Sequence, residues 1–165
     1  MGTTRIARIC MVAVLFAVAI AACGGKGKGA ADSRGPAGDD PVGDVLRVVE
    51  QWRQAYEVRS LEAISGLYSH DDVVRIQQGR LVQGWREVEN QLHGELTRAA
   101  SIYVRLKDIQ VVALGGAGVA VTAGMAKEAS DGVTTVTENG VLSLVLRRDD
   151  SWRIVSEHYS YAPQT

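Results

Sequence analysis

The second half of the chain restricts the fold most, because long β-branched and apolar runs alternate there with short turns. Four such runs each predict a strand, at Ile102–Leu114, Val119–Ala129, Val133–Arg147 and Trp152–Tyr161. The separating turns are Gly115–Gly118, Asp131–Gly132 and Asp149–Asp150. Strands joined by such short connections pair with their neighbours in antiparallel fashion. The region from residue 101 onward therefore predicts a sheet of four long antiparallel strands.

The first half reads as helical. Amphipathic periodicity predicts three helices, at Pro41–Val58, Leu61–Tyr68 and Trp85–Ala99, with a short hairpin inserted at Val73–Val82. Asp40 and Ser60 are suited to cap the first two helices. Helices that precede a run of antiparallel strands favour an α+β domain, in which the helices cover one face of the sheet.

The N-terminus has the pattern of a targeting segment. Arg5 and Arg8 precede an uncharged apolar run, Ile9–Ala22, which is shorter than the roughly 20 residues of a spanning helix. The following Cys23 and Gly24 complete a segment that resembles the bacterial lipobox. We therefore expect a signal peptide at 1–22, a lipidated Cys23 at the start of a flexible tether at 23–41, and one domain at 42–165. An ordinary signal peptide cut near Ala22 and an uncleaved anchor remain alternatives.

Cysteine use and charge exclude several classes of function. Cys10 would leave with the signal peptide and Cys23 would be acylated, so thiol catalysis, a disulfide and a cysteine metal site are excluded. Without Arg5 and Arg8, 16 basic residues remain against 19 acidic ones, which argues against nucleic-acid binding. We expect no cofactor and no metal. The expected partner is a lipid bilayer, reached through Cys23, and Gly24 favours the outer membrane of a Gram-negative cell envelope.

Three segments resemble the nuclear-transport-factor-2-like superfamily in its SnoaL-like branch. They are His70-Asp71-Asp72-Val73 after the second helix, Gly84-Trp85 before the third, and a closing hairpin that contains Trp152-Arg153-Ile154 and His158-Tyr159-Ser160. The resemblance covers nearly all of Val42–Tyr161. It implies a cone-shaped domain, in which a strongly bent antiparallel sheet wraps around three N-terminal helices and leaves a pocket.

The resemblance also directs attention to particular residues. Steroid-isomerase-like members use a tyrosine and a carboxylate base, at positions that align with Trp52 and Ile76 here, and neither can do that chemistry. His158 is the candidate catalytic residue, since strand alternation would place it on the inner face with Trp152 and Ile154. The pocket candidates are Trp52, Tyr56, Tyr68, Trp152, His158 and Ser160. His70 and His93 lack the converging ligands of a metal site.

Three functions remain open. The first is non-catalytic binding of a small apolar or amphipathic molecule in the cone of a membrane-anchored lipoprotein domain. The second is an isomerase- or cyclase-type enzyme that uses His158 as general acid or base. The third is a structural envelope module that forms a homodimer through the sheet, which predicts a collapsed cavity and an apolar outer sheet face.

Overall fold

The computed structural model describes residues 40–161, all within the unit Gly38–Thr165. The elements are α1 (Pro41–Glu57), α2 (Leu61–Ser65), β1 (Val74–Gln77), β2 (Arg80–Gln83), α3 (Trp85–Arg98), β3 (Ser101–Gly115), β4 (Gly118–Ser130), β5 (Thr135–Arg148) and β6 (Trp152–Tyr161). Signal peptide, lipidated Cys23 and all but the end of the tether lie outside the described residues. None of the helices between residues 40 and 161 has the length and apolar character needed to cross a bilayer.

The helix starts follow from local chemistry. Asp40 caps α1, because its side chain accepts a hydrogen bond from the Gly43 N–H at 2.9 Å, and Pro41 stands in the first turn. Ser60 caps α2 in the same way, through the Ala63 N–H. Gly84 precedes α3 with a φ of 83°, a left-handed conformation that glycine adopts without strain.

Helix α2 is shorter than predicted. It ends at Ser65, whereas the sequence predicted a helix to Tyr68. The reason is tertiary: Ile154 donates its N–H to the Leu67 carbonyl at 2.8 Å, and the Ser69 N–H bonds the Ile154 carbonyl at 2.9 Å. Pairing with β6 therefore takes this backbone out of the helix, and Tyr68 forms a parallel bridge with Ile154.

The strands form one sheet in the order β2-β1-β6-β5-β4-β3. The four long strands pair antiparallel, as predicted, and the β1–β2 hairpin joins β6 in parallel, which the sequence did not indicate. Buried side chains of α1, α2 and α3 share one apolar core with the inner face of the sheet. The predicted α+β cone, with three N-terminal helices on a bent sheet, is confirmed.

A bulge in β6 reverses which of its residues face inward. Leu146 pairs with Ile154 and Val145 pairs with Ser156, so Val155 has no partner on β5. Trp152 and Ile154 point inward before the bulge, and Glu157 and Tyr159 do so after it. The predicted inward orientation of His158 and Ser160 is therefore wrong, because both lie exposed on the outer face. A strict alternation of side chains could not account for the extra residue.

Candidate functional site

A buried arginine stands at the centre of the cone. Arg75 on β1 is paired in register with Glu157 on β6, and both side chains are about 1% exposed. Arg75 Nε donates to Glu157 Oε1 at 2.9 Å, and Nη2 donates to Glu95 Oε2 at 2.8 Å. Glu95 reaches this point from α3. Elements far apart in the chain thus bring one guanidinium and two carboxylates together.

Two tyrosines and a tryptophan complete this centre. Arg75 Nη2 also donates to the Tyr56 hydroxyl at 2.8 Å, the Tyr68 hydroxyl donates to Glu157 Oε2, and Trp52 Nε1 donates to the Tyr68 hydroxyl at 2.9 Å. Burial raises the pKa of both phenols, so they stay protonated at neutral pH. Both tyrosine hydroxyls lie in the interior, where they are bonded to other side chains of this centre.

Lys127 on β4 extends the arrangement toward the surface. Its Nζ lies 2.7 Å from Glu95 Oε1 and 3.0 Å from Glu138 Oε2. Burial alone would lower the pKa of Lys127, but the facing carboxylates outweigh burial and leave that pKa raised. Burial raises the pKa of Glu95, but Arg75 and Lys127 lower it by more, so the net shift is a decrease. We call these seven residues the charge network: Trp52, Tyr56, Tyr68, Arg75, Glu95, Lys127 and Glu157.

The charge network fills the interior that a ligand was expected to occupy. Beside it remains a narrow void with no room for a water molecule. Both carboxylate oxygens of Glu157 are engaged, and the two cations have carboxylate partners. Each oxygen of the Glu157 carboxylate accepts one hydrogen bond, from Arg75 or from Tyr68. The network thus holds its charges at fixed positions in the interior.

A much wider space lies outside the charge network. A groove of about 780 Å³, the mouth groove, runs between α3, the β1–β2 hairpin and the ends of β4 and β5. Its lining includes Gln77, Arg80, Gln91, Arg98, Lys127 and Glu138. Gln77, Glu95 and Lys127 line both the groove and the void. The floor of the mouth groove is therefore the outer edge of the charge network.

The predicted pocket residues fall into two groups. Trp52, Tyr56, Tyr68 and Trp152 are buried in the core, and the first three belong to the charge network. His158 and Ser160 are on the opposite face of the sheet, so His158 does not face the interior as predicted for a catalytic residue.

On β1, the side chain that aligned with the catalytic base of steroid isomerases does not point into the interior. Ile76, which aligned with the carboxylate base, faces outward with His158, its partner in the register, while its neighbour Arg75 points inward. Trp52 does face the interior, where its indole is a hydrogen-bond donor. The inward position next to Ile76 is thus occupied by an arginine, which cannot act as a base at neutral pH.

The other two histidines lie at the surface. His70 stacks on Trp85 with ring centroids 4.3 Å apart and approaches Ser65, and His93 is exposed on α3. Within residues 40–161, no three histidine, cysteine or acidic side chains converge to hold a metal ion.

Sequence reasoning missed Arg75, Glu95, Lys127 and Glu157. One signal was present in β6: Trp152 and Ile154 occupy even positions, but the tyrosines that follow, Tyr159 and Tyr161, occupy odd ones. Such a change of phase within one strand indicates a bulge. For Arg75 no comparable signal exists, because its burial depends on partners 20 and 82 positions away.

The profile of a family described as a SnoaL-like domain matches residues 45–164. No curated protein matches the sequence.

Solved structures share the fold at low sequence identity. A dehydratase candidate of the NTF2-like family from Streptomyces avermitilis is 22% identical, with a TM-score of 0.69 over 75% of this chain and 97% of that one. A scytalone dehydratase candidate from Novosphingobium aromaticivorans is 11% identical, with a TM-score of 0.69 and coverages of 76% and 86%. An NTF2-like superfamily protein from Salmonella enterica is 16% identical, with a TM-score of 0.67 and coverages of 74% and 92%.

Proposed function

The chain belongs to the SnoaL-like domain family, and on that premise we propose that it binds a small polar or amphipathic molecule in the mouth groove without transforming it. The observation that carries the proposal is the groove itself. Its volume, about 780 Å³, falls within the range of roughly 300–1,000 Å³ typical of small-molecule sites. The interior beside the charge network has no comparable room, so a purely apolar ligand inside the cone is no longer part of the proposal.

The groove wall combines hydrogen-bonding side chains with about as much apolar surface. Arg80 and Arg98 form no ion pair with any residue in 40–161, so their guanidinium groups are available to a ligand. Gln91 Oε1 is buried without a hydrogen-bond partner in the described part of the chain. The lining as a whole is balanced in charge, since Glu87 and the paired Glu95, Lys127 and Glu138 stand beside the two arginines. These groups favour a ligand of little net charge that has acceptor atoms for the arginines and a donor for Gln91.

Gly94 provides a test of the groove. It lies on the groove wall in α3, and a Cβ added there would meet only the end of the Arg98 side chain, at 3.4 Å. We expect Gly94→Trp to fill the groove and Gly94→Ala to leave it open. Untargeted mass spectrometry should detect a small molecule that co-purifies with the wild type and with Gly94→Ala but not with Gly94→Trp. Identical small-molecule content in all three proteins would contradict the proposal.

The lipid anchor is part of the same proposal. Its support is the apolar run before Cys23 and the lack of any large apolar residue between Cys23 and Pro41, where α1 begins. Two acyl chains hold a protein on a bilayer durably. Labelled palmitate should enter the wild type and not Cys23→Ser. Equal labelling of both would rule out the anchor and, with it, the proposed place in the cell envelope.

A homodimer through the outer sheet face is a second candidate, and one observation favours it. The outward positions in the middle of β4, β5 and β6 carry no charge: Ala120, Thr122, Gly124, Ala126, Asn139, Val141, Ser143, Val145, Ser156, His158 and Ser160. Thr122→Arg should then produce a monomer in analytical ultracentrifugation, whereas Ser151→Arg, in an exposed turn, should not. A monomeric wild type would remove this candidate.

The enzyme alternative has lost its particular support. It depended on His158 facing the pocket, and His158 faces outward. The two dehydratase candidates and the Salmonella enterica protein are at most 22% identical to this chain, and similarity at that level supports the fold alone.

A further inference from the structure

Arg75 is the most buried cation of the described chain, and one of its nitrogens has no acceptor. Nε and Nη2 are satisfied by Glu157, Glu95 and Tyr56. Nη1 is buried without a hydrogen-bond partner among residues 40–161. A buried donor that belongs to a charged group is costly to leave unsatisfied. The structure thus contains a donor that an added acceptor would stabilise.

The space beside Arg75 leads to the mouth groove. Arg75 lines the narrow void, which shares Gln77, Glu95 and Lys127 with the wall of the groove. The void has no room for a water molecule, so water cannot reach Arg75 through it in this arrangement. An acceptor can reach Nη1 from the groove only if one of the three shared side chains moves.

The contacts of the three side chains show which one moves most readily. Glu95 bridges Arg75 and Lys127, and Lys127 contacts Glu95 and Glu138. Separating a buried ion pair costs far more than breaking one hydrogen bond between neutral groups. Gln77 is held by a single neutral hydrogen bond, from its Nε2 to the Tyr161 hydroxyl at 2.5 Å. Of the three side chains between the void and the mouth groove, Gln77 therefore moves most readily.

The charges around the void select the acceptor. The charged residues that line the void are balanced, with Arg75 and Lys127 against Glu95 and Glu157. An anionic group would add an uncompensated negative charge to a buried site, and a cationic group would be repelled by Arg75. An uncharged oxygen, as in a ketone, an amide or an ether, is the acceptor that this balance favours.

We propose that Arg75 Nη1 donates a hydrogen bond to an uncharged acceptor oxygen of the ligand, which enters from the mouth groove when Gln77 leaves Tyr161. The proposal rests on the mouth groove being the ligand site. It names Arg75 as a binding residue, Gln77 as the gate and an uncharged carbonyl or ether as the chemical feature that the site recognises.

Three probes of one shape separate the alternatives: cyclohexanone, cyclohexanecarboxylate and cyclohexylammonium. The readouts are the NMR signals of the Arg75 Nε–H and the Trp52 indole N–H in the full chain held in detergent. Trp52 is connected to Arg75 through Tyr68 and Glu157, so it reports on the charge network. The backbone amides of Asn90, Gly94 and Arg98 report on the groove independently.

We expect cyclohexanone to shift the Arg75 and Trp52 signals saturably, and the two charged probes not to. Tyr161→Phe frees Gln77 from its one hydrogen bond, so it should tighten cyclohexanone binding by roughly two- to tenfold, the equivalent of one such bond. Tyr103→Phe, on an exposed tyrosine of β3, is the matched control and should leave the affinity unchanged.

Two results would overturn the inference. One is an equal response of Arg75 to the carboxylate and to the ketone. The other is no response of Arg75 and Trp52 to cyclohexanone in either the wild type or Tyr161→Phe. If the α3 amides then still shift, the mouth groove binds without Arg75, and only the inference fails. The proposed function itself is decided separately, by the Gly94 variants.

Discussion

The inner face of the sheet has two halves that share β5 and β6 but differ in chemistry. On one side of the bulge at Val155, Trp152 and Ile154 pack with Leu146 in the apolar core. On the other side, Glu157 meets Arg75 and belongs to the charge network. Apolar burial stabilises the first half directly, whereas the second half contains charges that are costly to bury and must be paired.

This difference indicates which half of the inner face can interact with a ligand in the mouth groove. A buried ion pair contributes little net stability compared with well-packed apolar groups of similar volume, yet it is expensive to break. The apolar half presents no polar group to the mouth groove, and the charged half forms the groove floor. Four predictions test whether the two halves differ in this way, from the largest expected effect to the smallest.

Loss of one partner of the buried pair should have the largest effect. Glu157→Leu leaves Arg75 without its Nε acceptor, and we expect a loss of about 3–5 kcal/mol in the free energy of unfolding. The double variant Arg75→Met/Glu157→Leu should recover much of that loss, since no unpaired charge stays buried. Urea denaturation measures both. A double variant as unstable as the single one would show that the pair itself, and not the stranded charge, provides stability.

In the apolar half, the free energy of unfolding should depend on the buried side-chain volume alone. Trp152 is 8% exposed, so Trp152→Ala should cost about 3 kcal/mol, at the lower end of the range for buried tryptophan. Here no second substitution of a charged residue should restore stability. An unchanged unfolding midpoint would mean that this end of β6 contributes no packing and that the two halves are not distinct.

Acid should weaken the charged half before it affects the apolar half. The pKa of Glu95 is lowered in the folded protein from its ordinary value of 4.5, through Arg75 and Lys127 acting against burial. The stability that this shift provides is fully present above pH 4.5 and is lost as the pH falls through the folded pKa.

The variant Glu95→Gln isolates that contribution. As the pH falls below 4.5, the urea midpoint of the wild type should fall more than that of Glu95→Gln. Trp152→Ala should keep the pH dependence of the wild type. Parallel pH profiles of the wild type and Glu95→Gln would show that the carboxylate of Glu95 does not stabilise the folded state.

The smallest effect concerns the groove wall. Gly94 lies within α3, and alanine is favoured over glycine in a helix by roughly 1 kcal/mol. Gly94→Ala should therefore raise the free energy of unfolding by up to about that amount, because the added methyl group meets only the flexible end of Arg98. A loss of stability in thermal unfolding would indicate that the wall of the groove is packed more tightly than the open space beside it suggests.

Much of the fold could be predicted from the sequence because its signals are local. The caps Asp40 and Ser60, the periodicity of α1 and α3, and the turns between long strands act within a few residues of each other. These signals predict the order of the helices and strands. The resemblance of the motifs to the SnoaL-like branch predicts the cone shape. The end of α2 was misjudged because pairing of residues near Leu67 with β6 overrides helical propensity there.

The candidate site was decided by tertiary structure. The inward orientation of Arg75 depends on the parallel pairing of β1 with β6, and that of Glu157 on the bulge at Val155. Arg75 and Glu157 are 82 positions apart in the chain, so no local pattern links them. The sequence determined which residues form helices and strands, since backbone preference and amphipathic spacing operate at short range. Only the packed sheet decided which side chains share the interior, because one unpaired residue in a strand exchanges its inner and outer faces.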